Sequence, residues 1–455
     1  MAVSSKSKPK GGWSTFLEST FQVTKRGSTV SREVIAGLTT FAAMSYVIVV
    51  NPQILSATGM DQSSLITATA ISAIIGTLIM ALWANLPVAL AAGMGSNLIF
   101  AFVVVGQLGV SWQTALTMVL ITGVIFVVLS LTRYREKIVA AFPKSIQIGL
   151  QCSIGVFIAY LGLKNGGIMV TDENTYISFG DLTHPSTVIT YVGLLLTTVL
   201  MVKRVPAAFL ISIAILTVAG AFITTNGKAL TQWPSQLVDT PQLKSEILFA
   251  FNFKEFLDHF FILLPITLYF FMADFFSTAA TLIGVSRRGN LLTDNGEIPN
   301  AKQAFTADAI ATVSGSALGT STVTSYIESV TGIESGGRTG LTGIVVVIMF
   351  FLAMFFWPIL AVIPTQATAP TLILVGVLML EGVTKIETQS PEQTITPLTM
   401  LLITACTADL MAGFSTGCFI YTLIILTTKQ WHKLSPMLIG LNISLLLYLG
   451  LSTSI

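Results

Sequence analysis

Glu328 is the only charged residue between Ala309 and Ile333, and Asp274 is the only one between Phe260 and Gly284. A lone carboxylate inside an apolar stretch is costly, and by default it marks a substrate or proton pathway. Either acid could therefore bind a solute, carry a proton, or do both. The competing explanation for each is a helix cap or a structural hydrogen bond. Ser277 follows Asp274 by three residues and offers only a hydroxyl. Asp308, near the start of a later segment, reads equally well as a cap, and Asp409, near a segment boundary, reads as water-exposed.

Other chemistries lack their residues. His184, His259 and His432 are far apart in sequence and form no metal-ligand spacing with Cys or Asp. Cys152, Cys406 and Cys418 lie in apolar segments and read as small packing residues, without a disulfide framework. No G-x-x-x-x-G-K-[ST] occurs, which argues against ATP-driven transport by this chain alone. No Ser/His/Asp or Cys/His set is assembled by spacing, so a membrane-embedded enzyme is a weak alternative. The glycine-rich "GGRTG" (Gly336–Gly340) is a poor phosphate cradle, because it follows a half-helix into a turn. No cofactor is expected. The net charge of +2 comes from basic residues in short loops, not in a patch, so nucleic acid is not an expected partner.

The elements that must position these acids are membrane helices. Of the 455 residues, 53% are hydrophobic and only 10% charged, too few polar residues to cover a soluble globule of this size. Apolar windows recur at 33–55, 63–86, 87–107, 110–132, 144–164, 185–202 and 205–224. After a polar loop they resume at 257–285, 303–319, 320–337, 338–362, 366–384, 393–410 and 411–428. Seven plus seven predicts an all-α polytopic membrane protein of 14 transmembrane segments with two oppositely oriented repeats. An additional apolar segment, 434–453, either spans or lies at the interface. Lys6, Lys8, Lys10, Lys25, Arg26 and Arg32 fall in the tail, Arg133, Arg135, Lys137 and Lys144 after span four, Lys203 and Arg204 after span six, and Arg287 and Arg288 after span eight. This pattern places the N-terminus inside as a short cytoplasmic tail, whereas loop 165–184, with Asp172, Glu173 and Asp181, belongs outside. The tail lacks the apolar stretch of a cleaved signal peptide.

Two segments do not read as plain helix. "NLPVALAAGMGSNLIFAFVVV" (Asn85–Val105) is interrupted by Pro87, Gly93 and Gly95, and "GTSTVTSYIESVTGIESGG" (Gly319–Gly337) is rich in β-branched residues. They are third and tenth in order and occupy equivalent places in the two halves. Paired interruptions of this kind point to a midplane binding site, where an extended stretch leads into a half-helix. A packing kink with small residues is the plainer alternative.

These stretches carry a resemblance. "EVIAGLTTFAAMSYVIVVNPQIL" (33–55), "ANLPVALAAGMGSNLIFAF" (84–102), "TLIGV" (281–285) and "TVTSYIESVTGIESGGRTGLTG" (322–343) resemble the adenine/guanine/hypoxanthine permease branch of the nucleobase–cation symporter-2 family. "VNPQIL…GMD" and "NLPVALAAGMG" are most similar to bacterial adenine permeases. The resemblance implies a core domain (33–132 and 257–362) moving against a gate domain (133–224 and 363–455), with 1–32 as the cytoplasmic tail and 225–256 as a periplasmic linker. It implies a purine nucleobase bound between the third and tenth segments and the eighth span, protons as the coupled ion with the proton gradient as driving force, and a bacterial inner-membrane setting among lipid. A homodimer is left open. By motif, Glu328 matches the family's essential acid, Asn97 its polar residue on the third segment, and Asp274 the first of two acids on the eighth span. Gly95, Ser96, Tyr326 and Ser329 flank these positions and complete the expected binding set, with Glu328 and Asp274 as the proton-coupling pair. The chain departs from the family at "F-S-T-A-A-T" (Phe276–Thr281), where relatives read "F-D-x-x-G-T": Ser277 replaces the second acid. Asp274, roughly on the same helix face, is expected to substitute in part. The alternative within the same architecture is an anion transporter or exchanger, which two acids at the site disfavour.

Overall fold

The computed structural model describes residues 12–132, 143–172, 176–225, 227–293 and 297–452. Lys6, Lys8, Lys10, Arg133, Arg135, Lys137 and Glu173, used above for orientation, lie outside the described residues.

Almost every element is helical. The first half runs α1 (Gly12–Phe21), α2 (Val30–Met44), α3 (Val47–Ser56), α4 (Gln62–Ile79), β1 (Leu90–Ala92), α5 (Met94–Leu98), α6 (Trp112–Leu131), α7 (Lys144–Asn165), the hairpin β2 (Met169–Asp172) and β3 (Tyr176–Phe179), α8 (Pro185–Val202) and α9 (Ala208–Gly220). A short hairpin, β4 (Thr224–Thr225) and β5 (Lys228–Ala229), leads into the linker. The second half runs α10 (Phe253–Asp258), α11 (Phe260–Arg288), α12 (Ala301–Leu318), β6 (Val323–Ser325), α13 (Ser329–Glu334), α14 (Gly340–Ala353), α15 (Trp357–Ala361), α16 (Thr365–Met379), α17 (Pro391–Thr407), α18 (Leu410–Thr427) and α19 (Pro436–Ser452). Among the described residues, nine helices are long and apolar enough to cross a membrane, and Met94–Gln107 and Ala208–Gly220 are shorter apolar helices. The segment at 434–453 forms α19, which packs on α11 and α18.

Helix ends are fixed by local chemistry. Asp61 caps α4 by accepting from the Ser64 N–H, and Ser111 caps α6 while donating to Glu255. Asp409 caps α18 through the Ala412 N–H and is half-buried. Cys152 and Cys418 are buried as expected for packing residues, but Cys406 is exposed on α17. The glycine-rich turn before α14 does cradle an anion, and that anion is the chain's own Glu33. Its carboxylate accepts from the Arg338 and Thr339 N–H groups at 2.9 and 3.3 Å and from the Thr342 hydroxyl at 2.5 Å.

The helices pack in two sets. α2, α3, α4, α6, α12, α13 and α14 contact one another, with α11 against α6, while α7, α8, α9, α16, α17 and α18 form the other set. The sets meet where α5 and α11 touch α7, where α9 touches α2, and where α16 touches α3. One of these contacts is tight at a glycine: a Cβ at Gly95 would stand 2.7 Å from Ile154 Cγ2 of α7. The linker is pinned to the first set. Lys244 Nζ lies 2.8 Å from Asp61 Oδ1, and the Lys244 N–H donates to Ser64 Oγ at 3.2 Å. Partial burial of Asp61 works against its charge, but the Lys244, Ser63 and Ser64 donors outweigh it and hold the carboxyl below the usual range.

Candidate functional site

The two interrupted segments meet. β1 and β6 pair antiparallel, with Leu90 opposite Ser325, Ala91 opposite Thr324 and Ala92 opposite Val323. The Gly93 N–H donates to Thr322 O at 2.8 Å and the Tyr326 N–H to Ala89 O at 2.9 Å, which extends the pairing at both ends. This answers how non-helical backbone survives at membrane depth: each broken segment supplies the hydrogen bonds that the other lacks. Side chains finish the task. Ser329 Oγ accepts from the Ala89 N–H at 3.0 Å, Thr77 Oγ1 accepts from the Leu90 N–H at 2.9 Å, and the Tyr326 hydroxyl donates to Ala92 O at 2.5 Å. Tyr326 and Ser329 are thereby held in the crossing itself, and Ser96 is buried on α5.

Glu328 is placed where β6 gives way to α13 and is half-buried, next to the exposed Ile327. Its Oε1 accepts from the Tyr46 hydroxyl at 2.8 Å. Among the described residues no cation is paired with it. Ser277 is exposed on α11, and Ala280 and Ile283 continue that open face. The same helix approaches Ile327, since a Cβ at Gly284 would stand 3.5 Å from Ile327 Cδ1. Ser277 and Glu328 thus belong to adjoining, accessible surfaces.

Asp274 and Asn97 sit deeper than the sequence implies. Asp274 is buried, turned from the open face of Ser277 toward α12, and its Oδ2 accepts from Thr312 Oγ1 at 2.8 Å. Its Oδ1 has no hydrogen-bond partner among the described residues. Three residues advance a helix by 300°, so positions 274 and 277 differ by about 60°, enough to put one in the packed interface and the other outside it. The expectation that Asp274 substitutes for an acid at 277 is therefore corrected. Asn97 is fully buried and its amide is engaged: Nδ2 donates to Asn51 Oδ1, and Oδ1 accepts from Ser321 Oγ. Asn51 Nδ2 in turn donates to Thr69 Oγ1 at 2.7 Å and Thr320 Oγ1 at 3.0 Å. This network ties the first, third and tenth segments together.

Asp308 is not a cap. Asn300 precedes α12, and Asp308 is a buried interior residue of that helix. Its Oδ2 accepts from Thr278 Oγ1 at 2.8 Å and its Oδ1 from Ser325 Oγ at 2.7 Å, joining α11 and β6 to α12. A second buried acid therefore braces the crossing from behind. Sequence reasoning left Asp308 balanced between a cap and a site acid, and it missed Asn51 and Tyr46. The available signal was a charge, an amide and a phenol inside apolar spans, where each needs a partner.

Three comparisons bear on what this arrangement does. Residues 31–415 match the sequence profile of a permease family. Adenine permease AdeQ of Escherichia coli K12 is 37% identical over 423 residues, covering 92% of this chain and 93% of that protein. Guanine/hypoxanthine permease PbuO of Bacillus subtilis 168 is 35% identical over 426 residues, 92% of this chain and 97% of the relative. Among solved structures, the transmembrane domain of the cyanobacterial bicarbonate transporter BicA aligns with a TM-score of 0.61 at 16% identity, covering 82% of this chain and 96% of that one. At that identity the likeness concerns fold alone.

Proposed function

The chain belongs to this permease family of the nucleobase–cation symporter-2 type, a family of transporters and not of enzymes, and from that premise we propose that it is a proton-coupled importer of purine nucleobases. Adenine is the first candidate substrate, with hypoxanthine and guanine next. The observation that carries the proposal is the placement of Glu328: one accessible acid, unpaired with any described cation, at the crossing of the two broken segments. A carboxylate accepts the N–H donors of a purine edge and can exchange a proton with solvent. Asp274, Asn97, Ser96, Gly95, Tyr326 and Ser329 support that surface from within, and Ser277 lies on its open side.

In this proposal the two helix sets act as core and gate of a seven-plus-seven inverted repeat and alternate access to the site. The proton gradient supplies the driving force without a cofactor. The setting is a bacterial inner membrane with the N-terminus in the cytoplasm. Arg26 of the tail lines one cavity of about 370 Å³ with Gly289 and Asn290, so the tail and the loop after Arg288 share one end of the molecule. Lipid and protons are the further partners, and a homodimer is compatible with this assembly.

The test is uptake of labelled adenine, hypoxanthine, guanine and uracil into cells that lack their own permeases. Saturable purine uptake sensitive to a protonophore is expected; no uptake or binding of any purine would sink the proposal. Parallel assays with bicarbonate and sulfate address the anion-exchanger alternative. A narrower prediction concerns Ser277→Asp, which restores an acid on the open face of α11. Purine binding should tighten about tenfold, the scale of one hydrogen bond to a charged group, and should gain pH dependence. If neither changes across pH 5–8, position 277 does not face the base.

A further inference from the structure

We propose that Tyr46 is a positioning residue that links the carboxyl of Glu328 to the opposing helix set, through its contact with Phe209. The inference rests on Glu328 being the acid of the transport cycle.

Tyr46 lies at the join of α2 and α3 within the first span, where the backbone stays right-handed helical, and only 1% of its surface is exposed. Its two ends touch different bodies. The hydroxyl donates to Glu328 Oε1 at 2.8 Å, and it is the only side-chain donor to that carboxyl among the described residues. The ring meets Phe209 edge-on, with centroids 5.3 Å apart and planes at 62°. Phe209 is the second residue of α9, which packs with α8 and α16 on the far side of the interface.

A buried phenol is unfavourable unless its O–H is bonded. Packing against Phe209 requires only an aromatic ring, whereas the hydroxyl has Glu328 as its hydrogen-bond partner among the described residues. A proton or a purine N–H taken up by the Glu328 carboxyl withdraws electron density from Oε1 and weakens it as an acceptor for the Tyr46 donor. The ring cannot absorb the change by turning into empty space, because close-packed interiors shift between discrete arrangements and do not deform smoothly. The displaced ring presses on or withdraws from Phe209. Occupancy of the acid is thereby transmitted to the other helix set through one side chain, at the interface where the two sets must slide.

The consequence is a defect in turnover that spares binding. The experiment compares Tyr46→Phe, Phe209→Leu and the double variant in proteoliposomes, with purine affinity and maximal uptake rate measured separately. Tyr46→Phe keeps the ring, so the thermal unfolding midpoint and the purine Kd should stay close to wild type, the latter within about threefold, while the maximal rate falls at least tenfold (an order-of-magnitude expectation). Phe209→Leu should impair the rate in the same way, and the double variant should be no worse than the poorer single, since both substitutions break one link. Tyr46→Phe should add nothing in a Glu328→Gln background. Wild-type turnover in Tyr46→Phe, or rate defects that multiply in the double variant, would overturn the inference. A Glu328→Gln protein that accumulates purine normally would instead sink the underlying role of Glu328. An inactive Glu328→Gln with a fully active Tyr46→Phe would remove only the Tyr46 link.

Discussion

The Glu328→Gln variant is expected to lose concentrative purine uptake entirely. The substitution preserves size and keeps a carbonyl oxygen for the Tyr46 hydroxyl, which now lies 2.8 Å from Oε1. It removes the half-buried carboxyl at the β1–β6 crossing, which can both exchange a proton and carry negative charge toward a ligand, whereas Asp274 and Asp308 beside it are buried. With no titrating group there, movement of purine is uncoupled from the gradient, and the variant can at most equilibrate its substrate. Purine uptake with and without a protonophore measures this directly. Wild-type accumulation that still collapses on adding the protonophore would take Glu328 out of the mechanism and return attention to the buried acids behind it.

The second large effect is expected at Asp308, where the argument concerns stability as well as transport. Asp308→Ala strips both oxygens from a fully buried site and leaves Thr278 and Ser325 without the acceptor that each now has at 2.8 and 2.7 Å. Thr278 retains Thr324 at 2.9 Å, but among the described residues Ser325 has no other partner for its hydroxyl. An ordinary buried hydrogen bond contributes about 0.5–1.5 kcal/mol net, and an orphaned buried hydroxyl costs about 1–3 kcal/mol, so two lost bonds and one orphan give a destabilisation of about 2–6 kcal/mol. Ser325 lies in β6, opposite Leu90, so the damage is delivered to the strand that presents Glu328. Thermal unfolding in detergent should show a lowered midpoint, and purine affinity should weaken with it. Asp308→Asn, which keeps one acceptor oxygen, should fall between alanine and wild type. An alanine variant with unaltered midpoint and uptake would show that the crossing is held without Asp308.

Much of this protein is written in its linear order. The apolar windows coincide with the helices to within a few residues: 144–164 becomes Lys144–Asn165, 185–202 becomes Pro185–Val202, and 411–428 becomes Leu410–Thr427. The signal is strong because twenty apolar residues in succession have one low-energy fate in lipid. The two irregular segments were equally legible, since Pro87, Gly93 and Gly95 on one and the run of β-branched residues on the other oppose helix over the same part of each repeat. The motif "YIES…GGRTGLT" placed the chain in its family, and relatives named as purine permeases match it over most of its length.

What composition and motif left undecided was which polar groups face each other. Asp274 and Ser277 are neighbours in sequence, yet one is packed against Thr312 and the other is open. Asp308 lies more than thirty residues from Asp274 in the chain, but both acids bond to hydroxyls beside the same strand: Thr312, which also accepts from the Val323 N–H, and Ser325. Asn97 looks free in "GMGSN" and is committed to Asn51 and Ser321. Tyr46 and Glu328 are 282 positions apart and share a hydrogen bond. The sequence by itself determined the membrane helices and their two interruptions, because hydrophobic length and backbone propensity are local properties. Only the tertiary structure decided which acids are buried supports and which one is accessible. That depends on the antiparallel crossing of β1 and β6, a pairing between residues more than 230 apart whose hydrogen bonds no local pattern encodes.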